Sequence, residues 1–308
     1  MTCTDLKKNL KTDTVPDRRF IVALGNFDGV HIAHQKLISL AVSLRDRLFP
    51  DAAVAAWFFS DLPENDLPVP PVGRLIGNDE KNALLRKAGA EYTFAYPFTE
   101  LRAFSPEDFC NKTLITECHA AGAVCGFNFR FGKNAEGTPE KLESFFPGAF
   151  AELPETRIDG MTVSSTAIRE SLRNGDTETA KRMLGRPYSL TLPVTHGKHL
   201  GTGMGIPTVN QVFPAGALIP RHGVYATVTR IDGKSYPGIS NIGVRPTVES
   251  SDSVNCETYI FDYSGDLYGK TVTVEFHRFL RDERKFATVR ELHDAIQADI
   301  QSVRKMFG

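Results

Sequence analysis

The sequence is poor in the features that mark membrane, zinc-binding or polyanion-binding proteins. Its five cysteines, an odd number, have no CxxC spacing that would suggest zinc, and we expect them to be reduced thiols, several of them in cores. No run of about 18 apolar residues occurs, and the polar start of the chain is unlike a signal peptide, so a cytoplasmic location is expected. Lys plus Arg total 36 against 37 Asp plus Glu, so no positive field is present to attract nucleic acid.

The composition itself is that of a folded protein. The chain has 308 residues, of which 41% are hydrophobic and 24% charged, enough to bury a sizeable core and to form two domains rather than one. No internal repeat or low-complexity segment is present.

Short apolar runs alternate with helical patterns in the N-terminal half. FIVAL (20–24) is a short apolar run with β-branched members, and the helix after it has an apolar stripe at helical spacing. Strands alternating with helices predict βαβ units and a doubly wound, Rossmann-like parallel sheet in residues 1–185. The predicted strands are 20–24, 52–59, 92–98 and 123–127, and the predicted helices are 33–49, 79–90 and 105–121.

The pattern changes to alternating Val, Thr, Tyr and Phe after about Gly185. An Asp232–Gly233 pair predicts a hairpin turn, and we expect residues 186–308 to form a β-barrel. A helix from Val289 to about Phe307 closes this domain, since Thr288 and Glu291 have the spacing of a capping box.

The segment GNFDGVHIAHQKLI, residues 25–38, leaves a predicted strand and enters a predicted helix. Ligands of α/β sheets bind beyond the carboxyl ends of the strands, and the N-terminus of a helix favours an anion. His31 and His34 would project from one side of the first helical turn and donate to a phosphate. For the pair alone a structural role is as probable, but Gly25 and Gly29 allow backbone to approach a ligand.

GNFDGVHIAH resembles the signature of the bacterial bifunctional riboflavin kinase and FAD synthetase family. Further segments resemble that family in the same order along nearly the whole chain. They are GFNFRFGKNAEGT (126–138), VSSTAIRESLRNGD (163–176), LGRPY (184–188), HGKHLGTGMGIPTVN (196–210), NIGVRPTV (241–248), CETYIFDYSGDLYG (256–269) and FLRDERKF (279–286).

For the first domain the resemblance implies adenylyl transfer from ATP to FMN, giving FAD and pyrophosphate. The phosphate of FMN is already a nucleophile, so positioning and charge stabilisation would suffice. His31 and His34 are the implied catalytic residues. The implied ATP or phosphate contacts are Gly25, Phe27, Asp28, Gly29, Ser164, Ser165, Thr166 and Arg169, with Asn128 and Arg130 toward flavin. Taken alone, the Ser164–Thr166 element is more typical of an ordinary helix cap, and Phe127, Phe129 and Phe131 are more typical of a core stripe.

Two departures from the family pattern fall in this domain. Ala33 stands where the family has glycine, and WFFSDLP (57–63) lacks the histidine and one proline of the usual Phe-x-Pro-His-Pro segment. An enzyme that keeps only the kinase reaction is therefore a rival interpretation.

For the barrel the resemblance implies phosphoryl transfer from ATP to riboflavin, with Glu257 as general base and Mg²⁺ held by Thr208 and Asn210. Without the resemblance, Glu257 would be interpreted as a solvent-facing strand residue. The implied phosphate loop comprises Gly197, Gly201, Gly203, Gly205 and Pro207, and the implied flavin contacts are Asn241, Arg245, Thr247 and Arg281. Val209 replaces a family alanine and Thr202 a family arginine.

The sequence thus predicts a flavin-binding enzyme with the small-molecule partners riboflavin, FMN and ATP, without nucleic acid or membrane, and with weak self-association. Two further alternatives are a flavin-binding regulator without turnover and adenylyl transfer to another acceptor. No Walker A sequence occurs in the chain, which argues against a P-loop kinase.

Overall fold

The computed structural model describes residues 4–7, 18–61, 72–195, 206–245 and 253–308. The chain divides into two compact units, residues 1–165 and 166–308. Among the described residues, no helix is long and apolar enough to cross a membrane.

The first unit is built on a six-stranded parallel sheet in the order β1-β4-β3-β2-β5-β6. The FIVAL segment is β2, and all five of its residues are buried, as expected for a central parallel strand. From β2 the chain continues to β3 and β4 on one side of the sheet, whereas β5 and β6 lie on the other side of β2. The carboxyl end of β2 is therefore a topological switch point. The strands are β1 (Thr4–Lys7), β2 (Phe20–Leu24), β3 (Ala53–Phe59), β4 (Tyr92–Tyr96), β5 (Ala120–Gly126) and β6 (Phe150–Leu153).

Helices connect these strands. On one face of the sheet, Phe20, Val22 and Leu24 share a core with Phe109 and Leu142 of two helices. Helix α1 packs against β2, β3 and β5 with its own buried stripe, outside that core, so the predicted doubly wound architecture is confirmed. The helices are α1 (Ile32–Leu48), α2 (Asn78–Ala88), α3 (Phe98–Leu101), α4 (Pro106–Asp108), a π-helical segment Phe109–Glu117 that continues α4, a single 3₁₀ turn (Lys133–Ala135) and α5 (Pro139–Phe145). A short hairpin, β7 (Arg157–Ile158) with β8 (Met161–Thr162), follows β6.

Some predicted boundaries were wrong. The helix predicted for 105–121 ends at Glu117, because Cys118 closes it with a bond to the Thr113 carbonyl and His119 has φ 49°. Strand β5 therefore begins at Ala120 rather than residue 123. The start of the helix predicted for 105–121 does carry the predicted cap, since the hydroxyl of Ser105 accepts from the Asp108 N–H at 3.1 Å.

The second unit is an antiparallel six-stranded sheet in the order β10-β13-β12-β11-β14-β9. The sheet nearly closes, because Thr195 bridges to Asn210 and the buried Gln211 amide donates to the carbonyls of Leu192 and Val272. The predicted barrel is therefore confirmed. Its strands are β9 (Tyr188–Pro193), β10 (Val209–Val212), β11 (Gly223–Ile231), β12 (Lys234–Arg245), β13 (Ser253–Ile260) and β14 (Thr271–Arg281), with helices α6 (Ser165–Arg173), α7 (Thr177–Leu184) and α8 (Val289–Phe307).

Local predictions in this unit are confirmed. Asp232 and Gly233 both have positive φ, 48° and 76°, as the hairpin turn between β11 and β12 requires. Helix α8 begins after Thr288, whose hydroxyl accepts from the Glu291 N–H at 3.2 Å. The Glu291 carboxylate, however, accepts from the Ala287 N–H rather than from the cap residue.

The cysteines bear out their prediction where they are described. Cys110, Cys118, Cys125 and Cys256 are free thiols in buried positions, and Cys3 lies outside the described residues. Burial raises the pKa of Cys110 and Cys125 to about 12 and that of Cys256 to about 11, so these thiols are inert at neutral pH.

Candidate functional sites

A cavity of about 1000 Å³ opens at the switch point of the first unit. The turn after β2 lines it with Gly25, His31 and His34, and the loop after β5 lines it with Asn128 and Arg130. Residues from two predicted motifs therefore meet at the carboxyl ends of adjacent strands, where ligands of such sheets bind.

The turn between β2 and α1 has an unusual backbone. Phe27, Gly29 and Val30 have φ of 52°, 82° and 39°. For a phenylalanine and a β-branched valine this conformation is strained, and such strain persists only where surrounding contacts determine it. The Asp28 carboxylate, 2% exposed, accepts from the Leu75 N–H at 3.0 Å, and the Ser165 hydroxyl donates to the Asp28 carbonyl at 2.8 Å.

The two histidines form a stacked pair at the start of α1. Their ring centroids are 3.5 Å apart with an interplanar angle of 13°. His31 is the N-cap, and its Nδ1 accepts from the His34 N–H at 3.3 Å. An accepting Nδ1 places the proton of the neutral ring on Nε2, so the donor of the His31 ring is Nε2–H. Nδ1 of His34 is buried and has no hydrogen-bond partner within the described part of the chain.

Burial and positive charge shape the electrostatics of this turn. The pKa of His34 lies well below its usual value because of burial first, and then the charges of His31 and Lys81. Burial likewise lowers the pKa of Lys81 to about 8, against the attraction of Asp28 and with the repulsion of Arg74. His34 is therefore a neutral ring at physiological pH.

The remaining predicted residues of this domain occupy three settings. Ser164 and Ser165 line the cavity together with Ala33. The turn residues Phe27, Asp28 and Gly29 lie behind the lining and support it. Two others belong to the second unit, where Thr166 is exposed and Arg169 is buried.

The phenylalanine stripe has a divided role. Phe131 is 6% exposed and belongs to the core, where it contacts Phe109, and Phe129 stacks on it at 5.7 Å. Phe127, 40% exposed, lines the cavity. All three line the cavity, and Phe127 has the most exposed side chain among them.

Sequence reasoning missed Lys81 and Trp57. Lys81, 4% exposed, donates to the Asn26 carbonyl at 3.1 Å. Trp57, the sole tryptophan, lines the cavity while its Nε1 has no partner in the described segments. Lys81 lies in NDEKNALL, where a lysine is typical of a solvent-facing helix position, so the sequence offered no signal.

In the second unit, four polar residues share one face of the barrel. Glu257 on β13 lies directly opposite Asn210 on β10 and Asn241 on β12, and opposite residues in antiparallel strands point to the same face. Asn255, two residues before Glu257, joins them: its Nδ2 donates to Asn210 Oδ1 at 3.0 Å and to Glu257 Oε1 at 3.1 Å. Asn210 and Asn255 are buried, while Glu257 is partly exposed.

Two predicted flavin contacts have protein partners. Nδ2 of Asn241 donates to Glu283 Oε1 at 2.9 Å, and Gly243 leaves the space that this carboxylate fills. Arg281 forms a salt bridge with Asp299 of α8, with Nη2 and Oδ2 2.8 Å apart. Arg281 thus ties α8 to the barrel.

The rest of the predicted kinase residues are described only in part. Pro207 is exposed and Thr208 is partly buried just before β10. Gly197, Gly201, Gly203, Gly205 and Thr247 lie outside the described residues, and for Arg245 only the backbone is described. Within the described ranges, no group of three or more His, Cys, Asp or Glu is placed to hold a metal ion.

Comparison with known proteins matches both units. The sequence model of FAD synthetase matches residues 14–167, and that of riboflavin kinase matches residues 184–307. The bifunctional riboflavin kinase/FMN adenylyltransferase of Pseudomonas fluorescens is 33% identical over 94% of both chains. That of Bacillus subtilis is 31% identical over 94% of this chain and 92% of its own.

A solved structure described as a macrolide-efflux protein from Streptococcus pneumoniae is 28% identical, with a TM-score of 0.86 over 95% of this chain and 96% of that one. This likeness extends through both units. The chain belongs to the bifunctional riboflavin kinase/FMN adenylyltransferase family, whose members phosphorylate riboflavin to FMN and convert FMN to FAD.

Proposed function

We propose that the cavity of the first unit carries out adenylyl transfer from ATP to FMN, and that the Asn210–Asn255–Glu257 group carries out phosphoryl transfer from ATP to riboflavin. One observation carries the proposal: in each unit, residues from separate motifs meet at one place. Backbone and side-chain donors in the first unit suit a phosphate chain, and a carboxylate in the second suits an alcohol.

In adenylyl transfer, the FMN phosphate attacks the α-phosphorus of ATP and pyrophosphate leaves. His31 donates from Nε2–H to a phosphate oxygen, since Nδ1 is used by the cap. His34 stacks on His31 and offers a second imidazole to the phosphate chain. Because its ring is neutral, it does not repel the charge of Lys81. Ser164 binds the phosphate chain with its hydroxyl and Ser165 with its backbone N–H at the start of α6, because the Ser165 hydroxyl already donates to the Asp28 carbonyl. Asn128 and Arg130 contact the flavin nucleotide from the loop after β5. Donors aimed at developing charge stabilise the transition state.

In phosphoryl transfer, Glu257 accepts the proton of the riboflavin 5′-hydroxyl as the oxygen attacks the γ-phosphorus of ATP, and the bond to the bridging oxygen breaks so that ADP leaves. The side-chain amide of Asn255 donates from Nδ2–H to Glu257 Oε1, which leaves Oε2 as the acceptor for the hydroxyl. Asn255 therefore orients the base.

The donor set fits Mg²⁺. Thr208 supplies a hydroxyl and Asn210 an amide oxygen, both hard ligands. Because Asn255 donates to Oδ1 of Asn210, the amide is oriented with its oxygen in the shared group, and that oxygen keeps a second lone pair. When bound there, Mg²⁺ would neutralise charge on the ATP phosphates.

The two activities divide the chain near residues 165–185. The boundary at residue 185 stays a prediction, since the compact units divide after Ser165 and the family matches leave 168–183 between them. A cytoplasmic location and weak self-association also stay predictions.

Chromatography of products tests the proposal. The purified chain is incubated with riboflavin, ATP and Mg²⁺, and separately with FMN, ATP and Mg²⁺. Formation of FMN and then FAD is expected. FMN without FAD, even with FMN supplied in excess, would favour the kinase-only alternative, and no conversion would contradict both site assignments.

A further inference from the structure

Lys81 lies buried behind the turn that carries the histidine pair. Its side chain extends from α2, is 4% exposed, and does not line the cavity. Nζ donates to the Asn26 carbonyl at 3.1 Å and lies 4.5 Å from the centroid of the Phe58 ring. A lysine is costly to bury unless its ammonium is hydrogen-bonded, and here the Asn26 carbonyl accepts that bond.

The turn needs external support. Of the four residues 27–30, three have positive φ, two of them not glycine. Hydrogen bonds from three separate parts of the unit hold the turn. The Leu75 N–H donates to the Asp28 carboxylate and the Ser165 hydroxyl to the Asp28 carbonyl. Lys81 Nζ donates to the Asn26 carbonyl. Asn26 itself lines the cavity. A shift of its carbonyl would therefore move the cavity wall and the start of α1.

We propose that Lys81 is a positioning residue for adenylyl transfer: its ammonium holds the Asn26 carbonyl and fixes the turn that presents His31 and His34 to the triphosphate. This inference rests on the proposed assignment of the histidine turn as the adenylyl transfer site. Lys81 acts through the backbone, one layer behind the ligand.

Charge on Lys81 is sensitive to alkaline pH. The groups that face it are Asp28 from the turn, Arg74 from the preceding segment and His34 from α1. With its pKa lowered to about 8, the side chain changes from ammonium to amine as the pH rises through that value. The neutral amine is a weaker donor to a carbonyl. The kcat/KM of FAD formation should fall above about pH 8, while riboflavin phosphorylation should not share that fall.

The test compares Lys81→Met and Lys81→Arg with Lys87→Met, an exposed lysine on the same helix. FMN adenylylation is measured from pH 6.5 to 9.5, with riboflavin phosphorylation by the same preparation as an internal control. The emission of Trp57, the sole tryptophan and 1% exposed, reports whether the first unit is folded. Each assay contains ATP, Mg²⁺ and either FMN or riboflavin.

Lys81→Met should lower the kcat of FAD formation about 100-fold with native Trp57 emission and unchanged kinase activity, the scale expected for misplaced catalytic groups. Lys81→Arg should recover at least about tenfold over Lys81→Met and lose the alkaline fall, because a guanidinium stays charged. Lys87→Met should match the parent.

The inference fails if Lys81→Met keeps the kcat of FAD formation within about threefold of the parent, or if Lys81→Met and Lys81→Arg lose the same share of that activity. It also fails if FAD formation by Lys81→Arg still declines above pH 8. His34→Ala separates this failure from that of the site. If His34→Ala abolishes FAD formation while Lys81→Met does not, only the role of Lys81 falls. If His34→Ala is as active as the parent, the site assignment falls and the inference with it.

Discussion

The two candidate sites, which are proposed to transfer different parts of ATP, are built from opposite kinds of side chain. In the first unit the described residues that line the cavity are neutral or cationic, and the Asp28 carboxylate of the histidine turn accepts from a backbone N–H. In the second unit a partly exposed carboxylate, Glu257, stands among amides. The difference follows from the acceptor: the FMN phosphate needs no base, whereas the riboflavin hydroxyl does.

The same comparison explains how each site is held. The first uses a strained turn at the end of a buried parallel strand, supported from behind by Asp28 and Lys81. The second uses the register of three antiparallel strands, which places Asn210, Glu257 and Asn241 in one row without backbone strain. Variants at the two sites should therefore separate the two reactions within one chain.

The largest effect is expected for Glu257→Gln. The amide keeps the shape of the carboxylate and cannot accept the hydroxyl proton, so riboflavin phosphorylation should fall by about 10²–10⁴-fold. FAD formation from supplied FMN should stay at the parent rate, as measured by chromatography. Glu170→Gln, an exposed glutamate of α6, is the control. A Glu257→Gln enzyme that phosphorylates riboflavin normally would exclude Glu257 as the base.

His31→Asn is the matching test in the first unit. Asparagine is a good N-cap, so α1 should persist while the Nε2–H donor is lost. FAD formation should fall about 100-fold, the usual effect of removing a donor that stabilises developing charge, and phosphorylation should be unchanged. An equal fall in both reactions would instead indicate a general loss of structure.

The features that the sequence predicts correctly in both units are those set by local patterns. FIVAL, the glycine turn and the apolar stripe of α1 are local signals, and each is confirmed within about two residues. The Asp232–Gly233 turn is likewise confirmed because positive φ at both positions suits those residue types.

The supporting contacts could not be predicted, since they depend on pairing across the fold. Lys81 bonds to a carbonyl 55 positions earlier in the chain. Asn255 bridges Asn210 and Glu257 only because β13 pairs with β10 in one register. Neither residue carries a local pattern that distinguishes it from a surface residue.

Asn255→Ala should reduce the kinase reaction by about tenfold. The variant removes two hydrogen bonds, each worth about 1 kcal/mol, and frees Glu257 and Asn210 to reorient. Asn255→Thr, which keeps one donor, should lose less. Initial rates at saturating riboflavin and ATP, with FAD formation from FMN as the internal reference, test this. Wild-type rates in Asn255→Ala would show that the bridge is dispensable.

Ala33→Gly should have a smaller effect, confined to the first unit. Ala33 lines the cavity, and its methyl group occupies space that a glycine leaves to the nucleotide. Removing it should lower the KM for ATP in FAD formation by about two- to fivefold, less than the roughly 10–200-fold that one methylene group gives in a closed hydrophobic pocket, because this cavity is open and Ala33 is only half-buried. An unchanged or higher KM would mean that the cavity already accommodates the methyl group.

The smallest expected effect is a dependence on pH of the free energy of unfolding of the first unit. His34 has a pKa below its ordinary value, so between pH 6.5 and that lower value the unfolded chain binds more protons than the folded one. Stability should therefore fall as the pH falls below 6.5, by at most about 1.4 kcal/mol per pH unit for this one group.

Urea unfolding followed by Trp57 emission at pH 7.5 and 5.5 measures this change for the first unit alone, since the second unit has no tryptophan. His34→Gln cannot take up the proton, so its loss of stability over the same interval should be smaller. If the parent and His34→Gln lose the same free energy of unfolding, the buried imidazole is not the source of the slope.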